Sequence, residues 1–313
     1  MAHAAEGDGV SSGPAASGGA GSTDDVVPAA LPTLRPVAPG LEQRIGQRVD
    51  VLDHGFVRVI DYMGDDAAVV QAARVSYGAG TKAVREDRGL IRYLMRHRHT
   101  TPFEMCEIKL HVKLPIFVAR QWIRHRMSSV NEASARYSVL DREFYLPRPE
   151  DLATQSRDNK QGRGDVLSPD AAAEVLRLLE DDALRVHRTY TQLLDEHRLA
   201  RELARMDLGL NTYTQWYWKI DLHNLLHFLA LRMDPHAQWE IRAYAEQIGA
   251  MVADWVPLCW EAFCDYRLGA LTLSRGEVGL LRAMLRQEPV DPTAAGLSPR
   301  EWRALRAALG LDG

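Results

Sequence analysis

The stretch from Arg124 to Tyr137 limits how this chain can fold more than any other. It sets Arg124, His125 and Arg126 in a row, then Ser128, Ser129, Asn131 and Glu132, then Ser134 and Arg136. Few of these side chains enter a core without partners, because a buried charge or amide loses its hydration uncompensated. The segment must border water or a polyanionic ligand, and the rest of the chain must build a core around it. Arginine suits phosphate because its planar guanidinium donates two parallel hydrogen bonds. Ser134 and Arg136 can hold the same phosphate from a second direction. A plainer reading is a basic helix end opposing the helix dipole, for about 0.3–1 kcal/mol per charge. That accounts for Arg124, His125 and Arg126 alone and leaves the Ser, Asn, Glu and Arg that follow unexplained.

Apolar residues make up 46% of the 313, enough for one large domain with extensions or two small ones. Ile108, Leu110, Val112 and Leu114 alternate with Lys109, His111 and Lys113, predicting a strand with one wet face. Pro115 then suits the first position of a helix over 116–126, on which Gln121, Arg124 and His125 share a face. Upstream, 48–52 and 56–60 flank Asp53, His54 and Gly55 and read as a hairpin. Asp65 or Asp66 caps a helix over 67–75, and a second helix runs over 84–98. The polar stretch leads to a strand near 144–146, and 151–167 reads as a mobile surface insertion.

Ser168 and Pro169 open a long helix with Ala172, Val175, Leu179, Ala183, Val186, Tyr190 and Leu193 as its core stripe, leaving His187 and His197 solvated. A short helix over 201–208 and a buried aromatic strand over 213–220 follow. Asp221 caps a helix over 222–233 packed by Leu225, Leu226, Leu229 and Leu231. A long helix with Ile241, Tyr244, Ile248, Val252 and Trp255 inward then runs up to Pro257. Ser274 with Glu277, and Ser298 with Glu301, are capping boxes for helices over 275–285 and 299–309.

Composition narrows the function. A net charge of −4 argues against a dedicated nucleic-acid binder and keeps any basic patch local. No apolar run is long enough for a membrane span. Residues 1–40, rich in Ala, Gly, Ser and Pro, read as a disordered tail without a secretory pattern. Cys106, Cys259 and Cys264 have no paired spacing, which fits a reducing cytoplasm. His223 and His227, four apart, could ligate zinc, but Asn224 stands where a zinc protease carries Glu, and no third ligand is near.

Taken whole, Arg124-His125-Arg126 with Ser134 after seven intervening residues, set between Ala119-Arg120-Gln121-Trp122 and Arg136-Tyr137-Ser138, resembles the signature of the flavin-dependent thymidylate synthases. Leu231 to Glu240, with Arg232, Asp234, His236, Ala237 and Gln238, resembles that family's second strong segment. The resemblance spans about 49–266, within a catalytic domain over 41–268, and leaves 269–313 as a helical extension. It implies an α+β fold, helices on a mixed or antiparallel sheet, in a homotetramer with shared active sites. It implies methylation of dUMP to dTMP, with methylenetetrahydrofolate as the folate carbon donor and NADPH-reduced FAD as hydride donor. By the same resemblance, dUMP is held by Gln121, Trp122, Ile123, Arg124, Glu132, Ala133, Ser134, Ala135, Arg136 and Arg232, with Arg205 arriving from another subunit. Arg232 is the catalytic cation, facing the pyrimidine. FAD is held by Ser76, His99, Thr101, Glu104, Arg124, His125, Arg126, Asn131, Glu132, Asp221, Leu222, His223 and His227. One departure stands out. The family's more familiar Asn-x-Arg-x-x-x-Asn pattern is replaced by Asp221, His223 and His227, and Asp cannot donate as Asn does. The competing readings are a nucleotide- or RNA-binding module without catalysis and a metal-dependent hydrolase using the two histidines.

Overall fold

Alternation along one strand organises the fold. The structure is a computed structural model describing residues 35–75, 84–156 and 162–311. The first segment gives helix α1 (Pro39–Glu42), strands β1 (Arg48–Val51) and β2 (Gly55–Met63), and helix α2 (Asp66–Val75). After it come α3 (Val84–Arg96), α4 (Thr101–Glu104), β3 (Glu107–Pro115), α5 (Ile116–Trp122) and β4 (Ser129–Glu132). In β3, Ile108, Leu110, Val112 and Leu114 all turn to the core face and are fully buried. The opposite face is less wet than the alternation suggests. His111 is buried there because Arg58 Nη2 donates to its Nδ1 at 2.8 Å, Phe56 packs edge-on, and Tyr217 covers the ring.

The second half of the chain supplies β5 (Ala153–Gln155), β6 (Arg163–Val166), α6 (Pro169–Asp195), α7 (Arg201–Ala204), β7 (Tyr213–Asp221) and α8 (Leu222–Arg232). Then follow α9 (Trp239–Trp255), α10 (Pro257–Phe263), α11 (Arg275–Leu285) and α12 (Pro299–Ala308). Five strands form one sheet in the order β1-β2-β3-β7-β4, every neighbouring pair antiparallel. The sheet is therefore antiparallel, not mixed, and α5, α8 and α9 pack against its strands. The β1–β2 hairpin turns over 52–54 as the sequence indicates. Only glycine fits at its exit, because a Cβ on Gly55 would stand 1.9 Å from Tyr244 Oη, which donates to the Lys113 carbonyl at 2.7 Å.

Several expectations are corrected. The helix expected over 116–126 stops at Trp122. Residues 129–132, expected in a loop, are an edge strand paired with β7. Phe144 makes an isolated bridge to Thr212 instead of starting a strand. Within the segment expected as a surface insertion, Ala153–Gln155 and Arg163–Val166 pair as antiparallel β5 and β6, and an Arg163–Glu240 ion pair ties β6 to α9. On α6, His187 is only 4% exposed, whereas Leu179 is exposed at 40%. The inward stripe is thus Ala172, Ala183, His187 and Tyr190. Leu231 is 48% exposed, so it does not pack α8. Residues 1–34 lie outside the described residues, but the expected boundary at 40 falls inside a packed segment. Ala38 and Leu41 are buried, and the Ala38 N–H donates to Tyr62 Oη at 2.7 Å. Asp65 caps α2 through the Ala68 N–H, while Asp66 accepts from the Leu258 and Cys259 amides and so caps α10.

Candidate active site

The geometry of the site starts from one tryptophan. Trp122, fully buried, packs against Trp218 at 5.0 Å, Phe228 at 4.7 Å, Trp216 at 5.8 Å and Tyr244 at 5.9 Å between ring centroids. This anchor ends α5, and a tight turn follows, with the His125 N–H donating to the Trp122 carbonyl at 3.0 Å. Arg124 and Arg126 face outward while His125 is half-buried. The chain then leaves as β4, so the turn is pinned at both ends.

On the other side stands α8. Asp221 caps it by accepting from the Asn224 N–H at 2.9 Å and Nδ2 at 2.7 Å. Leu222, Leu225, Leu226, Phe228 and Leu229 are its buried residues. Asn224, His227 and Leu231 lie on one helical face, and this face and the turn enclose a cleft of about 660 Å³. Its walls are Arg124, His125, Arg126, Met127, Ile220, Asn224, His227, Leu231 and Arg232. Three guanidiniums and two imidazoles meet there without a carboxylate. Arg232 Nε donates to His125 Nε2 at 3.1 Å. Burial, helped by Arg232 and His227, holds the His125 pKa down to about 4. Burial also lowers that of Arg232.

Two further clefts adjoin. One of about 110 Å³ is lined by His99, His223, His227 and Arg267 among apolar groups. Another of about 640 Å³ is lined by His99, Thr101, Tyr93 and Met105 among others. His227 is shared by the first two and His99 by the last two. Of the residues expected at the flavin, Thr101, His99, His223, His227, Arg124, His125 and Arg126 fall along one run of clefts, whereas Asn131, Glu132, Asp221 and Leu222 line none of the three. Glu104 is half-buried at the end of α4 and lines none of these three clefts. Ser76 lies outside the described residues.

Of the residues expected at the substrate phosphate, Ser134 and Arg136 share one turn, and neither lines these three clefts. Ser134 opens a turn whose Tyr137 and Ser138 amides donate to its carbonyl, and its Oγ accepts from the Arg136 N–H at 3.3 Å. α7 docks on this turn, with Arg201 Nη1 donating to the Tyr137 carbonyl at 2.6 Å and Glu202 3.4 Å from Arg136. Arg205, exposed, directly follows α7. Ala133 is held to β7 through its N–H, 2.8 Å from the Gln215 carbonyl. Gln121 has a buried side-chain oxygen with no partner among the described residues.

Some assignments need correction. With α5 ending at Trp122, Gln121, Arg124 and His125 do not share a helical face. The side chains of Trp122, Leu222 and Ala135 sit in the interior, so these residues can offer a ligand only backbone. Asn131 and Glu132 lie on opposite faces of the sheet, since their β7 partners are exposed Tyr217 and buried Trp216. Glu132 Oε1 accepts from Thr214 Oγ1 at 2.7 Å. Sequence reasoning missed Met127, Ile220, Asn224 and Arg267 as lining residues. The spacing of Asn224, His227 and Leu231 on one helical face was the available signal. Among the described residues, no group of three or more His, Cys, Asp or Glu could hold a metal, and no helix is long and apolar enough to cross a membrane.

Comparison with known proteins identifies the family. The family profile described as thymidylate synthase complementing protein matches residues 58–258. A flavin-dependent thymidylate synthase of Ruegeria pomeroyi is 62% identical over 282 residues, 89% of this chain and 93% of the relative. One from Rickettsia bellii is 55% identical over 88% of this chain and 98% of the relative. The crystal structure of the UMP/dUMP methylase PolB from Streptomyces cacaoi, bound with 5-Br UMP, superposes with a TM-score of 0.64 at 36% identity, over 70% of this chain and 97% of that one. A family profile that matches most of the chain, a solved nucleotide methylase of similar fold and relatives this similar over most of their length lead to one conclusion: the chain belongs to the flavin-dependent thymidylate synthases.

Proposed function

We propose that the cleft between the 123–127 turn and α8 is where this enzyme methylates dUMP to dTMP, with the adjoining clefts receiving FAD. The observation that carries the assignment is the meeting of Arg124, Arg126 and Arg232 in one cleft without a carboxylate. Arg124 and Arg126 are exposed and Arg232 half-buried, none has a carboxylate partner among the described residues, and like charges brought this close favour a polyanion that joins them. dUMP and FAD, with their phosphates, are such ligands. The donor set fits FAD: guanidiniums for its diphosphate, and His99, His223 and His227 with apolar Phe103, Leu226 and Phe263 for a flat ring. When bound and reduced by NADPH, FAD supplies hydride, and methylenetetrahydrofolate supplies the one-carbon unit.

The chain's own residues do the rest. Arg232 presents a cation where negative charge develops on the pyrimidine as its methyl-accepting carbon becomes nucleophilic. Ser134 and Arg136, with Gln121 and Arg205, bind the phosphate. Ser134 binds and does not attack, because a nucleophilic serine needs a base within reach. His125, the imidazole of the signature, has its Nε2 occupied by Arg232, and Glu132 Oε1 accepts from Thr214 Oγ1. Active sites shared within a homotetramer suit what one chain leaves open. Asn131 and Glu132 cannot meet one ligand copy from opposite sheet faces, and the cleft is lined in part by exposed Met127 and Leu231.

The test is spectroscopic. Purified protein, as isolated or after adding FAD, should show flavin absorbance in the visible that NADPH bleaches, and dUMP should bind in calorimetry. A colourless protein that ignores added FAD would end this reading.

A further inference from the structure

We propose that His125 is a positioning residue for Arg232: its neutral imidazole accepts the Nε–H and fixes the guanidinium so that the terminal Nη groups face the cleft. This rests on the reading that Arg232 faces the pyrimidine. His125 is itself held by backbone and ring. The His125 N–H donates to the Trp122 carbonyl at 3.0 Å, its carbonyl accepts from Ser128 Oγ at 3.1 Å, and its ring packs edge-on against Phe228 at 5.0 Å. Both residues therefore hang from the aromatic cluster that ends α5. Arg232, the last residue of α8, would otherwise swing freely about several torsions, since a long cationic side chain carries large rotamer entropy.

The chemistry of the acceptor matters. A carboxylate in place of His125 would fix Arg232 equally well but would pair with its charge and compete with the substrate. A protonated imidazole would repel it and offer no lone pair. A neutral ring accepting at Nε2 and carrying its proton on Nδ1 holds the guanidinium and leaves its charge available. The surroundings maintain that state. Burial, Arg232 and His227, whose ring centroid is 6.1 Å away, keep the imidazole uncharged at neutral pH.

A double-mutant cycle read in dUMP affinity, by calorimetry on the full chain saturated with FAD, tests the proposal. Arg232→Ala should weaken dUMP binding by about tenfold or more, the loss of a charged hydrogen bond. His125→Leu should weaken it by about fivefold alone and by less than about twofold in the Arg232→Ala background, because residues acting through one contact are not additive. His125→Gln, which keeps an acceptor oxygen at similar reach, should stay within about twofold of wild type. Losses that simply multiply in the double variant, or a His125→Gln variant as weak as His125→Leu, would overturn the positioning role while leaving the site assignment standing. Unchanged dUMP affinity in Arg232→Ala alone would instead overturn the placement of Arg232 at the pyrimidine, and the proposal with it. Flavin absorbance and melting temperature of each variant separate these outcomes from misfolding.

Discussion

The Arg124–Arg232 cleft and the Glu240 network both gather charged groups, and they resolve them in opposite ways. Glu240, in the first turn of α9, is 3% exposed and fully engaged: Tyr145 Oη donates at 3.2 Å, Arg163 Nη2 at 2.5 Å and Gln238 Nε2 at 2.9 Å. Its lone pairs are spent on the chain, and the return is positional, locking the β5–β6 hairpin onto the start of α9. In the cleft, by contrast, Arg232 has a neutral partner, and Arg124 and Arg126 face outward. Bonding capacity there is left for something that is not the chain. Closed polar networks favour a single conformation, and open ones mark a binding site. Substitutions in the two regions should separate stability from activity.

The largest effect belongs to the cleft. Arg232→Ala should lower kcat by about a hundredfold to a thousandfold, since losing one donor to developing charge costs about 2.7–4 kcal/mol. Melting temperature should hardly move, because no carboxylate among the described residues depends on Arg232. Near-normal turnover would remove Arg232 from the chemistry.

Ser134→Ala comes next. It should weaken dUMP binding by about 1.5–3 kcal/mol, the worth of a hydrogen bond to a charged group. Turnover should survive at saturating dUMP, and mass spectrometry of quenched wild-type reactions should find no nucleotide on Ser134. A stable adduct there would restore the nucleophile.

Glu240→Ala should show the reverse pattern. Tyr145 Oη is left unpaired under cover, at a cost of about 1–3 kcal/mol, while Arg163, 38% exposed, can turn to water. Calorimetry should record a melting point lower by several degrees with kcat at 25 °C retained. Equal losses in both quantities would erase the contrast between the two regions.

Much of this was legible in the sequence, and the failures share a cause. The alternation of β3, the aromatic β7, the Asp221 cap and the two capping boxes are local patterns, and each formed where the residues indicate. The signature residues were legible too, but their placement was not. Nothing local ends α5 at Trp122; the aromatics of β7 and α8, distant in sequence, do so by packing on it. β4 escaped notice because an edge strand, paired on one side, needs no apolar alternation and is commonly polar. His187 lies one position off the expected stripe through Val186, yet its spacing from Ala183 and Tyr190 puts it on the inward face. The Arg163–Glu240 pair joins residues 77 positions apart, beyond any window of periodicity.

The smallest effect is expected beyond the region that the family profile matches. α11 and α12 follow residue 258, where that match ends, and their buried Leu280 and Leu305 lie outside the continuous core of the catalytic body. In the second helix, Ser298 Oγ accepts from the Glu301 N–H at 3.3 Å and Glu301 Oε2 accepts from the Ser298 N–H at 2.7 Å. Ser298→Ala removes one of these bonds and should cost about 1 kcal/mol of helix stability. With a small core of its own, the extension should open as a local unit, so the cost should appear as faster amide exchange over 299–308. Global melting temperature and turnover should stay put. A matching fall in the melting temperature of the whole protein would show that α12 unfolds together with the catalytic body. A loss of turnover would couple it to the cleft, and a third region would then have to join the comparison between chain-serving and ligand-serving polar groups.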